Sequence, residues 1–161
     1  MKPIDFALGE FGTLEDISSG SNPRVLEYFA KVGHSWVHDD ATAWCAAFIG
    51  WCLESAGITS TRALNARSYL KWGIPTTTPK IGDIAVLWRE SPNSPSGHVG
   101  FFIRQNQAYI WLLSGNQSDK VCIEQFPISR VLSYRTFPQS TTAKDVIIKR
   151  VSELGQLVQQ L

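Results

Sequence analysis

In the stretch TAWCAAFIGWC, residues 42–52, a cysteine stands where an apolar run of helical character begins. A thiol in the first turn of a helix faces backbone N–H groups without intrahelical acceptors and the positive end of the macrodipole, and both favour thiolate over thiol. Cys45 is therefore a candidate nucleophile, although cysteine is also among the residues most often buried as a plain hydrophobe. A partner decides between the two. His98 opens the run HVGFF after the turn-forming SPSG, so a strand could carry its imidazole toward a helix terminus. Beyond the next apolar run, SGNQ offers Asn116, whose side chain could accept a hydrogen bond from the second ring nitrogen and fix the tautomer, the orienting task of a third triad member. Together the three groups would perform acyl transfer: the thiolate attacks an amide carbonyl, helix-start N–H groups receive the oxyanion, and the imidazole protonates the leaving amine. That chemistry requires no metal and no cofactor.

These residues need a helix and a sheet to position them. PRVLEYFAKVG reads as a short helix with proline first and glycine after its last residue. A stronger helix runs from Ala43 to Ala56, with Asp40 or Thr42 as its cap and Gly57 just past its end. ALNARSYLKWG suggests a third helix, after which the texture changes to GDIAVLW, HVGFFIR, AYIWLLSG and KVCIEQF, with VLSYRTF as a last strand. The intervening RESPNSPSG, QNQ and NQSD are turn and loop chemistry. Helices first and a strand meander afterwards is the α+β pattern.

The blocks WCAAFIGWCLESAG, GDIAVLW, GHVGFF and SGNQ, in that order and spacing, resemble the papain-like amidohydrolases of the NlpC and CHAP type, which cut peptide amides in bacterial cell walls. The likeness is greatest to a subgroup of phage and bacterial sequences and covers about residues 6–137. It implies a helix bearing the nucleophile Cys45 packed on an antiparallel sheet that carries His98 as general base and acid, with Asn116 as the orienting group. It further implies a wall stem peptide as substrate. The other reading of such a domain is an inactive one that binds wall peptides or a protein partner, against which the intact cysteine, histidine and asparagine set argues.

Other features point less well to chemistry. His34 and His38 stand four residues apart before Asp39 and Asp40, but the glutamate of HExxH is absent, so no metal site is expected. SYLK, residues 68–71, matches the SxxK of serine acyl-enzymes without the KTG that should follow. Cys52 lies two turns inside the helix and Cys122 in mid-strand; both read as inert packing. Among the six tryptophans, Trp44, Trp51, Trp88 and Trp111 alternate with core residues, whereas Trp36 and Trp72 lie near helix ends. The first four read as mainly core and Trp36 and Trp72 are the better groove candidates, with Trp44 kept beside them as a substrate-contact candidate.

With 161 residues and a formal charge of +1, the chain fits one globular domain and has no basic patch for nucleic acid. Nothing in it approaches a membrane span, and three cysteines with no signal peptide argue against a disulfide framework. The expectation is synthesis in the cytoplasm without a signal peptide and action in the periplasm or cell wall after release or export. A phage lysin passed through a holin fits this, as does an antibacterial effector with secretion machinery and a cognate immunity protein. Residues 1–137 form the catalytic domain on this reading. Residues 138–161 form a C-terminal amphipathic helix, with Ile147, Val151, Leu154, Val158 and Leu161 along one face. Its broad apolar face favours packing on the domain over mediating self-association or binding another protein, and hence a monomer over a dimer.

Overall fold

A computed structural model describes residues 1–15, 21–38, 43–137 and 150–156. Proline at the first position opens α1 (Pro3–Gly9) and α2 (Pro23–Lys31), where the missing N–H is no loss. Asn22 caps α2 by accepting from the Arg24 N–H at 2.9 Å. The next helix, α3 (Cys45–Ser55), is buried along nearly its whole length, which explains why its sequence is apolar on every face. It begins later than expected. Asp40 and Thr42 lie outside the described residues, and the capping position belongs to Trp44, which makes no side-chain cap bond. Gly57 ends the helix in the left-handed region at φ 79°. The expected third helix is a 3-10 helix, Ala66–Lys71.

Six strands follow: β1 (Ile74–Thr76), β2 (Ile84–Trp88), β3 (Gly97–Gln105), β4 (Tyr109–Gln117), β5 (Lys120–Pro127) and β6 (Val131–Thr136). They form one antiparallel sheet in the order β1-β6-β2-β3-β4-β5. The short β1 escaped the sequence reading, because a three-residue edge strand containing Pro75 shows no alternation. Strand alternation divides the core. Val86, Val99, Phe101, Leu113 and Val121 meet Phe48, Ile49 and Leu53 of α3 on one face. Ala85, Leu87, Phe102, Ile110, Leu112 and Phe126 cluster on the other.

Residues 150–156 are helical and exposed, with Val151 at 62% and Leu154 at 61%. The other residues of the amphipathic tail, Ile147, Val158 and Leu161 among them, lie outside the described residues. No helix among the described residues is long and apolar enough to cross a membrane.

Candidate active site

The site forms where two strands part. Arg89 N donates to Ser96 O and Phe102 N to Asp83 O, at the two ends of the β2–β3 ladder. Hydrogen-bonded pairs alternate along an antiparallel ladder, so even-numbered residues of β3 turn their backbone groups to β2, and Val99 turns its own to β4. Pairing between β3 and β4 runs from Gln105↔Ile110 to Phe101↔Leu113 and stops there. Beyond that point the Val99 carbonyl accepts from Ser114 Oγ at 2.6 Å. The Val99 N–H faces the sulfur of Cys45. Cys45 thus sits at the first position of α3, at a gap in the sheet.

The sulfur is enclosed, since Cys45 is 5% exposed. Burial raises its pKa, while the backbone N–H groups of Val99, Ala46 and Cys45 and the charge of Arg89 pull the other way. Burial wins, and the resting group is the thiol.

His98 pairs with Leu87 across the ladder, and its ring centroid lies 5.2 Å from that of Phe126, on the face turned from α3. Thiol and imidazole approach the gap from opposite faces. The imidazole is fully buried, and desolvation first, then the charges of Arg89 and Arg130, hold its pKa down to about 4 against an opposing hydrogen bond from Gln117. It is neutral at ordinary pH. Its tautomer follows from its partners. The Gln117 amide nitrogen donates to the carbonyls of Leu112 at 3.2 Å and Cys122 at 2.7 Å, which leaves Oε1 to accept from His98 Nε2 at 2.8 Å. The proton is on Nε2 and the lone pair on Nδ1, where Arg89 Nη2 donates at 3.3 Å. No hydrogen bond joins Sγ to the ring, whose nitrogens are engaged by Gln117 and Arg89.

Asn116 was the residue expected to hold the imidazole, and the hydrogen bond goes instead to its neighbour Gln117. The reason is a β-bulge. Along β4, Ser114 pairs with Cys122 but Gln117 with Lys120, a shift of one residue, and Asn116 takes the left-handed conformation at φ 57°. Regular alternation from Leu112 and Ser114 would have put Asn116 on the face of His98. The bulge gives that place to Gln117, which is 2% exposed. The Gly-Asn pair inside an apolar run was the signal for it.

The loop between β2 and β3 is pinned by Arg67, which donates to the carbonyls of Ser96, Pro92 and Ser91 at 2.8, 3.0 and 3.1 Å. This fixes the entry of β3 and hence His98. Arg89 and Arg130, also missed from sequence, stand beside the imidazole: Arg130 donates to the Trp88 carbonyl at 2.9 Å and lies over the rings of Trp88 and Phe126.

The tryptophan candidates fare differently. Trp44 is fully buried, stacked on Tyr28 with its Nε1 donating to Glu15, so it cannot line a groove and is corrected to core. Trp72 donates to the Thr59 carbonyl and its own carbonyl accepts from Arg135, the partner of Ile84; that is the opposite end of β2 from Leu87 and His98. Trp36 is 66% exposed, its Nε1 donating to His34 Nδ1 at 3.2 Å. The other nitrogen of His34 is bound to the Arg62 carbonyl. Cys52 is fully buried and its pKa is pushed well up by burial, whereas Cys122 touches the site through Gln117. Two surface grooves, of about 580 Å³ beside Ile4 and Asp83 and about 740 Å³ beside Pro75 and Tyr134, contain none of Cys45, His98 and Gln117.

Residues 37–116 match the family model of the CHAP domain, a span that takes in Cys45 and His98 and stops one residue short of Gln117. No curated protein matches the chain. CHAP domains are in general amidases and peptidases directed at peptidoglycan, which sets the class of activity as hydrolysis and the cell wall as its object. With helices on a six-stranded antiparallel sheet and a matching sequence from the helix start through β3 and most of β4, the chain carries a CHAP domain of the papain-like amidohydrolase type.

Proposed function

We propose that this chain hydrolyses an amide bond of the wall stem peptide with Cys45 as nucleophile, His98 as general base and acid, and Gln117 as the orienting residue. The observation that carries the reading is the fixed tautomer: Gln117 holds the proton on Nε2, so Nδ1 presents a lone pair. Thiol and imidazole both rest uncharged, so attack begins by proton transfer from Sγ to Nδ1 as the sulfur closes on the carbonyl carbon. The N–H groups of Cys45 and Ala46 at the start of α3 suit the oxyanion, and losing one such donor typically costs about a hundredfold or more in rate. The protonated Nδ1 then delivers its proton to the leaving amine. Water deprotonated by the same nitrogen hydrolyses the thioester and restores the thiol.

Trp36 is the remaining candidate for a groove contact. The cellular role we propose is that of a phage lysin or an exported antibacterial effector, met in the latter case by an immunity protein. The rival reading, a binding module without activity, draws on the enclosure of Cys45 and His98. Mass spectrometry of purified sacculi after digestion separates them: the wild type should release products with one new amine and carboxylate, and Cys45→Ala should release none while still folded. Equal product from both proteins rejects Cys45 as nucleophile, and none from either supports the binding module.

A further inference from the structure

Two guanidinium groups flank the imidazole, and among the described residues no carboxylate pairs with either. Arg89 Nη2 lies 3.3 Å from His98 Nδ1, and Arg130 is held by the Trp88 carbonyl against the Phe126 ring that also packs on His98. Among the described residues the ion pairs are Arg24 with Glu10 and Glu27, and Arg62 with Glu54; neither Arg89 nor Arg130 has one. The nearest acid in sequence, Glu90, accepts instead from Ser94. The two cations act on each other, as the lowered pKa of Arg130 by burial and by Arg89 shows, and both oppose protonation of His98. Like charges gathered beside a buried base are costly in the absence of an anion. Arg89 also occupies the one ring nitrogen that must accept the thiol proton.

We infer that Arg89, backed by Arg130, is the specificity-determining cation of this site, binding a free carboxylate of the stem peptide and leaving Nδ1 of His98 as it does so. The inference rests on the stem-peptide reading above and adds to it which chemical group on the substrate is recognised. A carboxylate takes a guanidinium fork in two parallel hydrogen bonds, a better partner than one imidazole lone pair. Bound there, it cancels charge that opposes the imidazolium, so the correct substrate makes the base competent.

The test uses the full chain and a synthetic stem peptide with every carboxylate free, compared with versions in which each carboxylate is amidated in turn. In the Cys45→Ala background, calorimetry should show one of these amidations weakening binding about tenfold to a hundredfold. In Cys45→Ala with Arg89→Gln the same amidation should cost less than about threefold, and Arg89→Lys should fall between. In the Arg89→Gln chain without ligand, the His98 pKa read by NMR should rise. The inference is overturned if no single amidation matters, or if its cost is the same with and without Arg89. A wild type that turns over no wall peptide yet keeps the Arg89-dependent discrimination would reject the hydrolase reading and leave the carboxylate site standing.

Discussion

Oε1 of Gln117 lies 2.8 Å from Nε2 of His98, and that single hydrogen bond decides which ring nitrogen is free to take a proton. Gln117→Ala leaves a buried N–H unpaired, at a cost of about 1–3 kcal/mol, and frees the ring to change tautomer. The expected result is a fall in kcat of about tenfold to a hundredfold with little change in KM. Asn116→Gly keeps the left-handed backbone of the bulge and should stay within about twofold of wild type on sacculi. The opposite ranking would return the orienting role to Asn116.

The helix-borne thiol and strand-borne imidazole were legible because their positions depend on strong local signals. A long apolar run ended by Gly57 declares α3, and four β-rich runs separated by turn residues declare the sheet. The third residue was not, since a one-residue bulge reverses the faces of every position beyond it, and side-chain alternation alone favours Asn116. Arg89 and Arg130 were illegible for another reason: they come from a strand end and from the first residues before β6, and only the order β6-β2-β3 brings them to one imidazole. Residues 66–71 form a 3-10 helix and not the expected α-helix, because six residues between Asn65 and Trp72, both extended, leave no room for a longer run.

The depressed pKa of His98 has a consequence for stability. A histidine titrating near 4 in the folded chain and near 6.5 when unfolded binds fewer protons folded than unfolded between those values. Stability from this group is therefore complete above pH 6.5, falls as the pH drops through the window, and is fully lost below about 4. The span corresponds to about 3 kcal/mol. Urea midpoints measured from pH 7 to pH 4 should show that decline in the wild type, and His98→Gln should flatten it across the same range. An unchanged slope in the variant would place the decline in the carboxylates instead.

The resting thiol makes a second chemical statement. With Cys45 enclosed and its pKa raised by burial, iodoacetamide at neutral pH should modify it more than about tenfold slower than an exposed thiol of ordinary pKa. In denaturing urea Cys45, Cys52 and Cys122 should react at similar rates, which intact-mass spectrometry resolves. Labelling of Cys45 faster than a free thiol would mean a preformed thiolate and imidazolium pair, and with it a mechanism that starts from the ion pair.

The depth at which α3 rides on the sheet is set by Gly115. A Cβ at that position would lie 2.4 Å from Cζ3 and 2.6 Å from Cε3 of Trp44, and 3.0 Å from Cβ of Phe48. Trp44 immediately precedes Cys45, so whatever lifts the indole also moves the sulfur away from Val99. Gly115→Ala should cost about 1–3 kcal/mol of stability, the range of an overpacked core, and reduce turnover by more than its unfolded fraction explains. Trp44→Phe removes the atoms that would collide, at the expense of the Nε1 bond to Glu15 at 3.2 Å. If the steric account is right, the two substitutions are non-additive: the double variant should be more stable and more active than the sum of the single effects allows, with a coupling of about 0.5–3 kcal/mol in urea denaturation. Strict additivity would mean that Gly115 is there for the backbone of the bulge and not for the indole above it.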